Sequence, residues 1–95
     1  MSKTLFDKAT TSDSVTIGTV STEILALNTN RLYALIVNNS TSSVYLALGV
    51  PAVLNKGIRI NANGGSYEIK TDNLFNGAIN GISAAGSKDV VVTEA

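Results

Sequence analysis

The sequence predicts an all-β domain, an antiparallel β-sandwich or jelly-roll-like barrel of about eight short strands. Three observations carry that expectation. Apolar residues alternate with period two from Val15 onward. Clusters of Gly, Asn and Ser bound each alternating run. No segment shows the apolar stripe of a helix over ten or more positions, so a parallel sheet would lack its crossovers.

Met1 to Ser14 shows no sustained period and reads as a flexible N-terminal arm, residues 1–14, before a β-sandwich domain over residues 15–95. Leu5 and Phe6 are the large apolar pair within that arm, the residues suited to docking on a neighbouring chain. Val15 and Ile17 share one face of the first run, and the next run, Glu23–Leu27, pairs Leu25 with Leu27 opposite Ile24 and Ala26. After the turn cluster Asn28–Asn30, the run Arg31–Asn38 places Leu32, Ala34 and Ile36 on one face and Tyr33, Leu35 and Val37 on the other. The polar hinge Asn38–Ser43 leads to Val44, Leu46 and Leu48, and the two runs read together as a β-hairpin.

Pro51 lacks a ladder donor, so Gly49–Gly57 is expected to be a loop between sheets. Ile58 and Ile60 are in phase, followed by the turn Asn61–Gly65, where Asn and Gly tolerate positive φ and a hairpin is expected. Tyr67 and Ile69 alternate with Glu68 and Lys70, and Leu74 and Phe75 are expected to plug one end of the core. The last expected pair is Gly77–Ser83 with Lys88–Glu94, in which Val90 and Val92 share a face and Val91 opposes them. The expected core is Val44, Leu46, Leu48, Ile58, Ile60, Ile69, Ile82, Val90 and Val92.

Composition narrows function. Charged residues make up 15% of the chain, against a usual ~25%, while Ser, Thr and Asn number ten each. Seven basic residues balance seven acidic ones without clustering, which disfavours a phosphate-backbone partner; no nucleic acid is expected. No run approaches the ~20 apolar residues of a membrane span, and no membrane partner is expected. Without His or Cys the usual ligands of soft metals and the usual base of a serine nucleophile are missing, and the acids never pair at short spacing. The expectation is therefore no catalytic residues, no metal, no cofactor and no enzymatic activity. Asp72 and Asn73 read as loop-capping residues rather than calcium ligands, and Asn63–Ser66 as a turn rather than a phosphate loop. Tyr33, Tyr45 and Tyr67 read as packing residues, with a shallow sugar-binding surface as the sharper alternative.

One feature asks for a partner. Arg31–Asn38 and Lys88–Glu94 are apolar on both faces in a domain too small for three layers. Tyr33, Leu35, Val37 and Val91 lie opposite the inward sets, so self-association through them is expected; the alternative is that Gly49–Gly57 folds over them.

The ordered series Ser21-Thr22-Glu23-Ile24-Leu25, Asn28-x-Asn30-Arg31, Ile36-x-Asn38 and Val44-Tyr45-Leu46-x-Leu48-Gly49 is followed by Gly57-Ile58-x-Ile60 and the Gly64-Gly65-Ser66 turn. Gly77-Ala78-Ile79-x-Gly81-Ile82-Ser83 and Val90-Val91-Val92-Thr93-Glu94 complete it. This series resembles the small β-rich virion proteins of tailed phages and related viruses, namely head decoration, head-fibre and other minor capsid or tail proteins. Asn80 departs from it, standing where similar sequences tend to carry an aromatic or aliphatic residue. The resemblance implies a non-enzymatic viral structural protein that decorates or stabilises a capsid, or another virion part, through self-association and shell contacts. It implies synthesis in the host cytoplasm, residence in the virion, and a major capsid or other virion protein as partner. It also favours a homotrimer, since decoration proteins often sit on local three-fold axes. The alternative function is a carbohydrate- or receptor-binding module of a phage fibre or spike.

Overall fold

The structure, a computed structural model, describes residues 11–95. Eight strands follow one another: β1 (Thr11–Ile17), β2 (Thr22–Leu25), β3 (Ala34–Asn38), β4 (Val44–Leu48), β5 (Ile58–Ile60), β6 (Ser66–Ile69), β7 (Ile79–Ser83) and β8 (Lys88–Glu94). They form two four-stranded antiparallel sheets, β1-β8-β3-β6 and β2-β7-β4-β5, the first called here sheet A and the second sheet B. The pairings are nested: β1 with β8, β2 with β7, β3 with β6 and β4 with β5. A ribbon folded at the β4–β5 connection and then wrapped so that successive pairs alternate between two sheets is a jelly roll.

That nesting corrects three expected pairings. β3 and β4 are no hairpin, because β3 lies between β8 and β6 while β4 lies between β7 and β5. The Asn38–Ser43 hinge instead carries the chain from sheet A to sheet B. Neither do β5 and β6, nor β7 and β8, pair across their turns; each turn changes sheet. The loop expected to pass between sheets, Gly49–Gly57, is the one that joins paired neighbours within sheet B. The reason is distance: stacked sheets lie only about 10 Å apart, so a short polar turn spans the gap as readily as it closes a hairpin.

The boundary of the expected arm also moves. β1 begins at Thr11 and pairs with β8 over its whole length, Thr11 opposite Glu94 and Ile17 opposite Lys88, so residues 11–14 belong to the sheet.

The core lies between the sheets. Ile17, Ala34, Ile36, Ile69, Val90 and Val92 from sheet A meet Ile24, Leu25, Val44, Leu46, Ile60 and Ile79 from sheet B. Leu48, Ile58, Tyr67 and Phe75 pack at its margin, whereas Leu74 stays exposed and does not join Phe75 as a plug. Ile82 is a correction: Tyr45 is its register partner, and Ile79, Gly81 and Ser83 take the inward positions of β7. The inward place at Gly81 has no side chain of its own, and Ile24 fills it; a Cβ there would sit 2.5 Å from Ile24 Cδ1. A register irregularity between Glu23 and Leu25 lets both Ile24 and Leu25 turn inward, against their expected opposition.

Two buried polar side chains tie the connections together. Asn38 donates to the carbonyls of Ser42 (2.7 Å) and Ile60 (3.1 Å) and accepts from the backbone and hydroxyl of Ser40. Its amide thereby holds the sheet-changing hinge against the end of β5. At the opposite end, Arg31 gathers the β2–β3 and β6–β7 connections and the end of β8. It donates to Ala26, Phe75 and Gly77 carbonyls and to Glu94. Among the described residues, no buried side-chain nitrogen or oxygen lacks a partner.

Candidate interaction surface

Alternation along β3 and β8 decides which side chains leave the core. Ala34, Ile36 and Asn38 are buried and Leu35 and Val37 are half-buried, as the pleat requires. Val91 lies outward between buried Val90 and Val92 and is 37% exposed. Register places Val37 opposite Val91, and Leu35 opposite Thr93 on one side and Glu68 on the other. Tyr33 lies on the same face, since its hydroxyl donates to Glu68 Oε2 at 2.7 Å. Sheet A thus brings together four of the six residues singled out in the sequence, Tyr33, Leu35, Val37 and Val91. Leu5 and Phe6 lie outside the described residues.

Around this apolar centre the face turns polar. Ser14 stands opposite Val91, Ser12 opposite Thr93, and Ser66 opposite Val37. Asp89 is outward and accepts from the Thr16 hydroxyl at 3.3 Å, and Lys70 lies 3.8 Å from Glu68. An apolar centre inside a polar margin is the anatomy of a protein contact. Burial of the Tyr33 hydroxyl is slight; its hydrogen bond to the Glu68 carboxylate is what chiefly raises its pKa above the ordinary tyrosine value, with desolvation and the Glu68 charge adding to it.

The loop that was the alternative cover for this face goes elsewhere. The Asn80 amide, outward on β7 of sheet B, donates to the Val50 carbonyl at 2.8 Å, and the Ser21 hydroxyl accepts from the Ala52 N–H at 2.8 Å. These anchors lay residues 49–57 across the outer side of sheet B, where Ala52 is buried. The same loop presents Val50 at 57%, Val53 at 52% and Leu54 at 36% exposure, and Val20 beside Ser21 is 73% exposed. Asn80 is therefore one of the two side chains that hold this loop. A second apolar surface, unremarked in the sequence, results. Its one legible signal was Val50 and Val53 flanking the lone proline.

The three tyrosines share no surface. Tyr33 faces out from sheet A, Tyr45 out from sheet B beside Arg59 and Ile82, and Tyr67 packs at the core margin opposite Ile36. Among the described residues no pocket is enclosed, no group of three or more His, Cys, Asp or Glu converges as metal ligands, and no helix is long and apolar enough to cross a membrane. The chain matches no protein-family model, no curated protein and no solved structure.

Proposed function

We propose that this chain is a non-enzymatic structural protein of a virus particle, which stabilises a capsid or another virion part by self-association and by contact with the shell. The observation that carries the reading is the apolar centre Leu35, Val37 and Val91 on the outside of sheet A, set among Ser and Thr and left aside by the loop that crosses the other sheet. Apolar surface of this kind on a folded domain is stabilised by a partner. The jelly roll adds support by analogy alone, since capsid proteins, lectins and metal-binding cupins all use it. Of these, the cupin chemistry relies on histidine ligands, and the sequence has none. A lectin-like surface built from the three tyrosines is not formed, which weakens the carbohydrate-binding alternative.

In this reading the copies assemble with closed symmetry, the trimer favoured, and Leu5 and Phe6 are further interface residues for a neighbouring chain or the shell. The test is co-sedimentation of the purified chain with assembled phage heads and tails, alongside a glycan array. Saturable binding to particles, weakened at least tenfold by Leu35→Asp, is the expected result. Glycan binding without particle binding would overturn it.

A further inference from the structure

The two apolar surfaces lie on opposite sides of the sandwich and differ in shape and charge. The outer face of sheet A is a flat strand surface whose margin carries Glu68 and Asp89, offset by Lys70. The outer side of sheet B bears the raised loop with Val50, Val53 and Leu54, and its margin carries Lys56 and Arg59, offset by Glu23. Among the described residues neither Lys56 nor Arg59 has an ion-pair partner within 4.0 Å. The loop is well anchored: Gly49 N–H donates to the Ala78 carbonyl, Lys56 N–H to the Val53 carbonyl, and Asn80 and Ser21 hold the middle. Apolar side chains on an anchored loop are presented with little backbone left to order, which lowers the cost of forming a contact.

We propose that these surfaces are two halves of one contact: the Val50–Leu54 loop of one copy seats on the Leu35, Val37, Val91 face of the next, with Lys56 and Arg59 against Glu68 and Asp89. The occupant of each surface is a second copy of this chain. The inference rests on the self-association proposed above and specifies its geometry. Apolar meets apolar and net positive margin meets net negative margin, whereas face A against itself would oppose Glu68 and Asp89 to their own copies. Such a contact is heterologous, so it repeats head to tail, as a ring where its rotation closes and as a filament where it does not. A two-fold dimer through either surface alone is excluded by it.

The test uses variants on the exposed positions and reads assembly by light scattering and sedimentation, with circular dichroism to check folding. Wild type is expected to assemble as concentration rises. Val91→Asp, on face A, and Val53→Asp, on the loop, should each weaken self-association at least tenfold. Mixed in equal amounts, they should form a heterodimer and stop there, because each retains the half that the other lacks. The charged margins give an independent arm that leaves the apolar strands intact. Glu68→Lys/Asp89→Lys and Lys56→Glu/Arg59→Glu should each weaken assembly alone, and mixing the two should restore the contact between unlike copies, giving even-numbered or alternating assemblies. Should Val53→Asp assemble like wild type, or the mixtures remain monomeric, the head-to-tail contact is wrong while self-association stands. A wild type that stays monomeric at millimolar concentration overturns both.

Discussion

Arg31 Nε donates to Glu94 Oε2 across 2.6 Å, and the two side chains retain 0% and 9% of their exposure. The pair joins the β2–β3 connection to the end of β8, and the remaining guanidinium donors reach Ala26, Phe75 and Gly77 carbonyls at 2.8–2.9 Å. All three nitrogens of the planar fork donate, which a lysine ammonium could not reproduce. Asn76 extends the cluster by donating to the Asn28 and Arg31 carbonyls. This end of the jelly roll is thus closed by polar side chains bonded to backbone.

Removing the cation takes the buried guanidinium away from Glu94 and from the Ala26, Phe75 and Gly77 carbonyls. Arg31→Ala is expected to cost about 3–5 kcal/mol, as breaking other buried pairs does. Glu94→Gln, which keeps an acceptor for Nε, should cost less. Urea denaturation of the three proteins measures both, and an Arg31→Ala loss below about 1 kcal/mol would show that water replaces the guanidinium.

Asn38 poses the same question in neutral form. Its amide donates twice and accepts twice, and it is fully buried. Asn38→Leu keeps the volume but takes its bonds from the Ile60 carbonyl and the Ser40 N–H and leaves the Ser42 carbonyl with the Ser40 hydroxyl as donor, so a loss of about 2–3 kcal/mol is expected. Asn38→Asp should be worse, since it points a carboxylate at two carbonyl oxygens. A thermal melt in which either variant matches wild type would contradict the assigned hydrogen bonds.

Much of the face pattern was legible in the sequence because it is local. Val44 and Leu46, Ile58 and Ile60, Tyr67 and Ile69, Val90 and Val92 all alternate within their own strands, and all lie where the period puts them. Ile79 and Ile82 are three apart, so one strand cannot turn both inward, and nothing local says which wins; Ile24, from another strand, decides it by occupying the space at Gly81. Arg31 was equally hidden. Beside a turn cluster it reads as a solvated charge, and its partners lie 5, 44, 46 and 63 residues away. Pairing order was the largest miss, since a turn between paired strands and a turn between sheets use the same residues. Of the candidate surfaces, face A was readable from two-sided apolar strands, while the loop surface depends on where Asn80 and Ser21 pin the chain.

Gly57 tests the turn of the sheet-B hairpin. Its φ is 83°, and a Cβ there would strike the Leu46 carbonyl oxygen, a backbone atom that cannot swing aside. Gly57→Ala is expected to lose more than about 1 kcal/mol. Gly86, with nothing within 4 Å of a Cβ, is the control, and Gly86→Ala should be neutral or slightly stabilising. Equal stability of the two variants in denaturant would refute the conformation assigned at Gly57.

Tyr33 makes a pH prediction. The folded state holds its proton more tightly than the unfolded chain, because the phenol donates to Glu68 and the phenolate would face that carboxylate. The stability this contributes is present in full below the ordinary tyrosine pKa of about 10 and is lost as pH rises through the higher folded value. In a Tyr45→Phe/Tyr67→Phe background, absorbance at alkaline pH follows Tyr33 alone. Glu68→Gln should move its titration to lower pH, and an unchanged curve would remove Glu68 as the cause.

Asn80 gives the sharpest separation of folding from assembly. Its amide holds the Val50 carbonyl at a position where both groups reach solvent, so Asn80→Leu should change stability by no more than about 1 kcal/mol. The loop loses one of its two side-chain anchors, leaving the Ser21 hydroxyl on the Ala52 N–H. Hydrogen exchange at Ala52 and Lys56, whose N–H groups are bonded within or across the loop, should quicken while exchange in β3 and β8 stays slow. If the loop seats on the next copy only when held in this conformation, assembly must then weaken although the core is untouched. Faster loop exchange with wild-type assembly would separate the loop's order from the contact and locate the interface on sheet A alone.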